Sequence, residues 1–82
     1  EPRSAPERPY VQIGIFSVEQ NARNTATAMR QAGMVSTVRK QQTQGKTFWR
    51  VLVGPAPNRR DLEALLDTAR EQGFADAYAV RD

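Results

Sequence analysis

The chain is 82 residues long, enough for one domain and too few for two. It contains no cysteine and no histidine, which excludes disulfide staples, thiol chemistry and histidine-based catalysis. Twelve Lys and Arg against nine Asp and Glu leave a net charge of +3, spread along the chain. That is sparse for a nucleic-acid surface and sufficient for a carboxylate-bearing partner.

Residues 1–9 hold three of the five prolines and no large apolar side chain, so they read as a linker that cannot offset its own ordering entropy. The domain is predicted over 10–82. Val11, Ile13 and Ile15 alternate with Gln12 and Gly14, the period-two signature of a strand. Ser17 and Gln20 have the spacing of a capping box, which predicts a helix start at Ser17. Ala22, Thr25, Ala26 and Met29 then recur at helical spacing, and Gly33 stands where a left-handed C-cap belongs. From Val35 to Gln42 the chain is β-rich and then polar. Gln44-Gly45 supplies a turn. Thr47, Trp49, Val51 and Val53 alternate with Phe48, Arg50 and Leu52 in the strongest strand signal of the chain. Gly54-Pro55 stops that strand, and Asn58 is placed to cap a second helix with the stripe Leu62, Leu65, Leu66 and Ala69. Gly73 ends this helix, and Ala77 to Arg81 reads as a last short strand.

A shift of 40 positions superimposes the two halves. Val11 falls on Val51, Ile13 on Val53, Gly14 on Gly54, Ala22 on Leu62, Ala26 on Leu66 and Gly33 on Gly73. Each half is strand, helix, glycine, strand. The order β-α-β-β-α-β predicts an α+β, ferredoxin-like fold, with a four-stranded antiparallel sheet and two helices on one face.

The helices must cover the more apolar sheet face. Strand parity assigns Val11, Ile13, Ile15, Trp49, Val51 and Val53 to that side. Tyr10, Gln12, Gly14, Phe48, Arg50 and Leu52 fall on the other, joined by Tyr78 and Val80 if Ala77 and Ala79 lie beneath the helices. The open face is therefore expected to present Phe48, Leu52 and Tyr78 to solvent around Gln12 and Arg50. A cluster of exposed apolar residues marks a contact surface. Aromatic faces suit the flat faces of sugars or bases, and a guanidinium reads carboxylate or phosphate. Other readings stay open: Phe48 and Tyr78 packed beneath a loop, Arg50 paired across strands with an acid, Trp49 as a sugar platform rather than core.

No catalytic site is expected. Asp61 and Glu63 sit near the start of a helix, where the dipole accounts for them. No phosphate-binding glycine loop and no metal-ligand cluster is seen, and no cofactor is implied. No apolar run approaches membrane-spanning length.

Val11-Gln-Ile-Gly-Ile-Phe16 and Arg50-Val-Leu-Val-Gly-Pro55 resemble the V-Q-x-G-x-F and R-V-x-V-G-P strands of the sporulation-related repeat (SPOR) family. The resemblance extends from about Tyr10 to Arg81. It implies a non-catalytic module that binds peptidoglycan glycan strands stripped of stem peptides, alternating GlcNAc and MurNAc. By the same resemblance, contacts come from Gln12, from Ile15 after the strand glycine, from Arg50, from Phe48 and from Tyr78. Gly14 and Leu52 complete the expected site on the open face. The resemblance further implies a monomer in the periplasm, at the division septum, with neither nucleic acid nor direct membrane contact. The proline-rich lead-in is similar to that of rare lipoprotein A type lytic transglycosylases, which implies a cell-wall enzyme as parent. Two rivals carry over from shape alone. One is a protein-interaction domain; the other is an RNA-binding module, which the third strand disfavours because it lacks the aromatic pattern of RNA-recognition sheets.

Overall fold

The computed structural model describes residues 6–81. The elements are β1 (Tyr10–Phe16), α1 (Glu19–Gln31), β2 (Ser36–Thr43), β3 (Lys46–Val53), α2 (Arg59–Glu71) and β4 (Tyr78–Val80). The four strands form one sheet in the order β2-β3-β1-β4, with antiparallel pairing throughout. The predicted α+β ferredoxin-like arrangement is the observed one. Among the described residues, no helix is long and apolar enough to cross a membrane.

Local chemistry explains most boundaries. The two-residue loop between β2 and β3 places Gln44 at φ 52° and Gly45 at φ 78°. Positive φ at both central positions matches the right-handed twist of the strands it joins, and it fixes the register Thr43 opposite Lys46. Both helices end in the same motif. Met34 N–H donates to Met29 O and Gly33 N–H to Arg30 O; Phe74 N–H donates to Ala69 O and Gly73 N–H to Arg70 O. These Schellman pairs place Gly33 at φ 92° and Gly73 at φ 101°, so the 40-residue repeat extends to the helix caps. At the start of α2 the Asn58 side chain accepts from Asp61 N–H at 2.8 Å, as predicted.

The start of α1 departs from expectation. Val18, not Ser17, holds the N-cap position, and no side chain caps the helix there. Strand β1 runs on to Phe16, which packs against the core, so the chain reverses through Ser17 and Val18 before the helix begins. Glu19 supplies the favourable negative charge in the first turn instead.

The core lies between the helices and one sheet face. Val11, Ile13, Val51 and Val53 from the strands meet Ala22, Ala26 and Met29 from α1 and Leu62 and Ala69 from α2. Small residues at Ala22, Ala26 and Ala69 let the helix backbones approach the sheet. Ala77 is buried just ahead of β4, which begins at Tyr78 rather than Ala77. Leu65 and Leu66 are half-buried and pack at the rim of this core.

Of the predicted linker 1–9, residues 1–5 lie outside the described residues, as does Asp82 at the other end. Pro9 is tied to the domain, because its carbonyl accepts from Ala56 N–H at 2.8 Å. It passes so close to Gly54 that a Cβ there would lie 2.9 Å from Pro9 O. Gly54 also has φ 119°, so both space and backbone conformation demand glycine.

Candidate functional site

Strand β1 carries a bulge between Gln12 and Gly14. Val11 pairs with Val53 and Gln12 with Leu52, but Gly14 pairs with Val51, Ile15 with Arg50 and Phe16 with Trp49. Ile13 is the extra residue, and it is buried in the core. A bulge sets two residues opposite one, so every position beyond it changes face. This corrects the simple parity for two residues. Ile15, assigned by parity to the helix side, shares a row with Arg50 on the open face and is 57% exposed. Gly14, expected on the open face, shares a row with Val51, and a Cβ built on it would meet the Phe16 ring at 3.2 Å. Its backbone alone borders the open side.

The register then defines rows across that face. Tyr78, Gln12, Leu52 and Thr37 form one row over β4, β1, β3 and β2. Ile15, Arg50 and Arg39 form the next, and Phe48 with Gln41 the one beyond. Rows one and two are joined by side chains. The Arg50 Nε–H donates to Gln12 Oε1 at 2.8 Å, and Gln12 Nε2 donates to the Tyr78 hydroxyl oxygen at 2.9 Å. The chain of donors runs across three strands.

Hydrogen-bond logic fixes the direction of this chain. A guanidinium can only donate, so the Gln12 oxygen must face Arg50 and its amide nitrogen must face Tyr78. The Tyr78 oxygen is thereby an acceptor within the protein, and its own O–H is left to donate outward. Tyr78 is 54% exposed, so a partner at the surface can accept that hydrogen bond. Arg50 is half-buried and held by Gln12. Pre-positioned donors lose less freedom on binding than mobile ones.

Two further expectations are corrected. Gln12, expected among solvent-facing groups, is 5% exposed, with both ends of its amide engaged. Leu52, expected in solvent, is 1% exposed. It lies beside Gln12 in the same row, next to the linked side chains of Arg50, Gln12 and Tyr78. Phe48 is half-buried, so it presents part of its ring. The structure therefore brings Gln12, Ile15, Phe48, Arg50, Leu52 and Tyr78 to one face, in two layers. Ile15, Phe48, Arg50 and Tyr78 are reachable; Gln12 and Leu52 support them.

Arg39 is the residue that sequence reasoning missed. It sits directly opposite Arg50, which places two guanidinium-bearing residues side by side in one row. Its signal was available: a two-residue Gln44-Gly45 hairpin turn makes the positions of each cross-strand pair sum to a constant, and that constant pairs 39 with 50. Trp49 falls on the helix side, half-buried against the core, as parity predicted.

Comparison with known proteins identifies the family. A family model described as SPOR domain matches residues 5–81, essentially the whole chain. Searches of curated proteins and of solved structures returned no match. The two strand motifs, the strand order and the family match converge, and the chain belongs to the SPOR domain family of peptidoglycan-binding modules.

Proposed function

We propose that the open sheet face binds glycan strands of peptidoglycan that lack stem peptides, and that the module thereby targets a parent envelope protein to the division septum. The observation that carries this reading is the hydrogen-bonded chain Arg50–Gln12–Tyr78, which holds a cation and an outward hydroxyl donor in fixed positions beside exposed apolar surface. A bare strand offers matching chemistry. Its sugars have apolar faces for Ile15, Phe48 and the Tyr78 ring, hydroxyl and amide oxygens for the Tyr78 O–H, and a lactyl carboxylate on each muramic acid for Arg50 and Arg39. Gln12 acts through its neighbours: it orients Arg50 and sets the direction of the Tyr78 hydroxyl.

The candidate recognition groups lie across the sheet, from Tyr78 on β4 to Arg39 on β2. A stem peptide attached at the lactyl carboxyl would turn that carboxylate into an amide. The charge read by the guanidinium groups would vanish, and bulk would be added where the strand meets the sheet. Both effects favour bare strands. We assign no chemical step to the module: the reading is of a monomeric binding domain, from about Tyr10 onward, behind a proline-rich linker. The parent is placed in the periplasm, as a cell-wall enzyme such as a lytic transglycosylase or another division protein.

The test is pull-down of the chain with purified sacculi, before and after amidase digestion. Enrichment after digestion supports the bare-strand reading. Equal binding to both preparations would leave peptidoglycan binding intact and remove the selectivity.

A further inference from the structure

The helix side of the sheet holds a second cleft, away from the open face. It has a volume of about 820 Å³ and lies between α1 and the β2 edge. Arg23, Thr27 and Arg30 line it from the helix, Ser36, Val38 and Lys40 from β2, and Trp49 from β3. Sites for small ligands commonly occupy roughly 300–1,000 Å³. The cleft exists because α1 faces this end of the sheet with alanine and threonine, which leaves the Trp49 indole only partly covered.

Its charge is one-sided. Three cations line it against a single acid, Glu19, and that acid is bound to Arg23 at 2.6 Å in an exposed i,i+4 pair. Such helix pairs are weak and yield readily to an incoming carboxylate. Arg30 is oriented by its own bond, donating from Nη2 to Ser36 O at 3.2 Å. Lys40 lies directly across from Trp49. Arg23 and Arg30 are two turns apart on one helix face, roughly 10 Å along the axis. An aromatic side chain flanked by cations so spaced suits a sugar chain with carboxylates at intervals, the ring beneath an apolar sugar face and the cations on the acids. A lone small anion would use neither the spacing nor the indole.

We propose that this cleft is a second glycan site, which takes a neighbouring carboxylate-bearing strand while the open face holds the first. The inference rests on the reading above for the source of the carboxylates. Two sites on opposite sides of one sheet would let a single module bridge strands, and linked sites raise retention on a polymer without any new contact at either one.

Trp49 is the sole tryptophan, so its fluorescence reports this cleft. The probe is a set of bare glycan oligosaccharides released from amidase-treated sacculi, with the same oligosaccharides carboxyl-amidated as control. The expected result is a saturable change in Trp49 emission with the acidic form, kept in Arg50→Ala. In the double variant Arg23→Ser, Lys40→Ser the response should weaken at least about ten-fold, the loss expected for charge-assisted bonds. Its melting temperature should match that of the wild type, since both replaced side chains are exposed. The proposal is overturned if Trp49 stays silent while sacculus pull-down succeeds, if the amidated control responds equally, or if Arg50→Ala abolishes the signal. A stronger response to single-stranded DNA than to bare glycan would reassign the cleft to phosphates and also overturn it. Failure of the pull-down itself would instead remove the first reading, so the two failures are distinguishable.

Discussion

The two faces of this sheet solve different problems with the same strands. The helix-covered face is dry: Val11, Ile13, Val51 and Val53 pack against Met29, Leu62 and a set of alanines. The open face carries a polar network, with Gln12 bonded to both neighbours beside the buried Leu52. The bulge at Ile13 lets β1 serve both. Before it, alternation sends Val11 inward and Gln12 outward; after it, the phase flips, so Phe16 packs inward and Ile15 looks out. One inserted residue keeps three apolar side chains of a seven-residue strand in the core and moves a fourth to the open side. Bulges re-aim side chains at functional sites in this way.

The contrast can be broken deliberately, and the largest effect belongs to the dry face. Met29 is fully buried, and Met29→Ala should cost about 2–5 kcal/mol in urea unfolding, with glycan affinity little changed in the fraction that stays folded. Arg50→Ala should invert this pattern. Losing a charge-assisted hydrogen bond of about 1.5–3 kcal/mol corresponds to roughly ten- to hundred-fold weaker binding, measured by calorimetry with bare oligosaccharides. Stability should fall by about 1 kcal/mol, because the buried Gln12 Oε1 loses its donor, and so by less than in Met29→Ala. Tyr78→Phe tests the direction of the network. It removes the acceptor for the buried Gln12 amide and the outward O–H together, so stability should fall by about 1 kcal/mol and affinity several-fold. The smallest stability effect should come from Ile15→Ser, within about 0.5 kcal/mol, because the residue is exposed. A loss of several kcal/mol in that variant would return Ile15 to the core and dissolve the bulge argument.

Most of the fold was legible in the sequence because its signals are local and repeated. The alternating runs, the Gln44-Gly45 turn, the Asn58 cap and the paired glycines at 33 and 73 each act within a few residues, and each appears where expected. What escaped was set by tertiary context. Strict parity failed at Ile15 because a bulge is a property of two strands in register, although a glycine inside a strand, Gly14, was its available sign. The Ser17 cap failed because Phe16 extends β1 to reach the core, which delays the helix start to Glu19. Leu52 and Gln12 were placed on the right face and in the wrong layer. Depth on an open sheet depends on which side chains bond across it, and alternation alone carries no such information.

The most direct test of the open-face assignment is a backbone-amide NMR titration with bare glycan oligosaccharides. At the lowest ligand concentrations the first amides to shift should be those around Gln12, Ile15, Phe48, Arg50 and Tyr78. Open-face amides that stay still while others move would contradict the account.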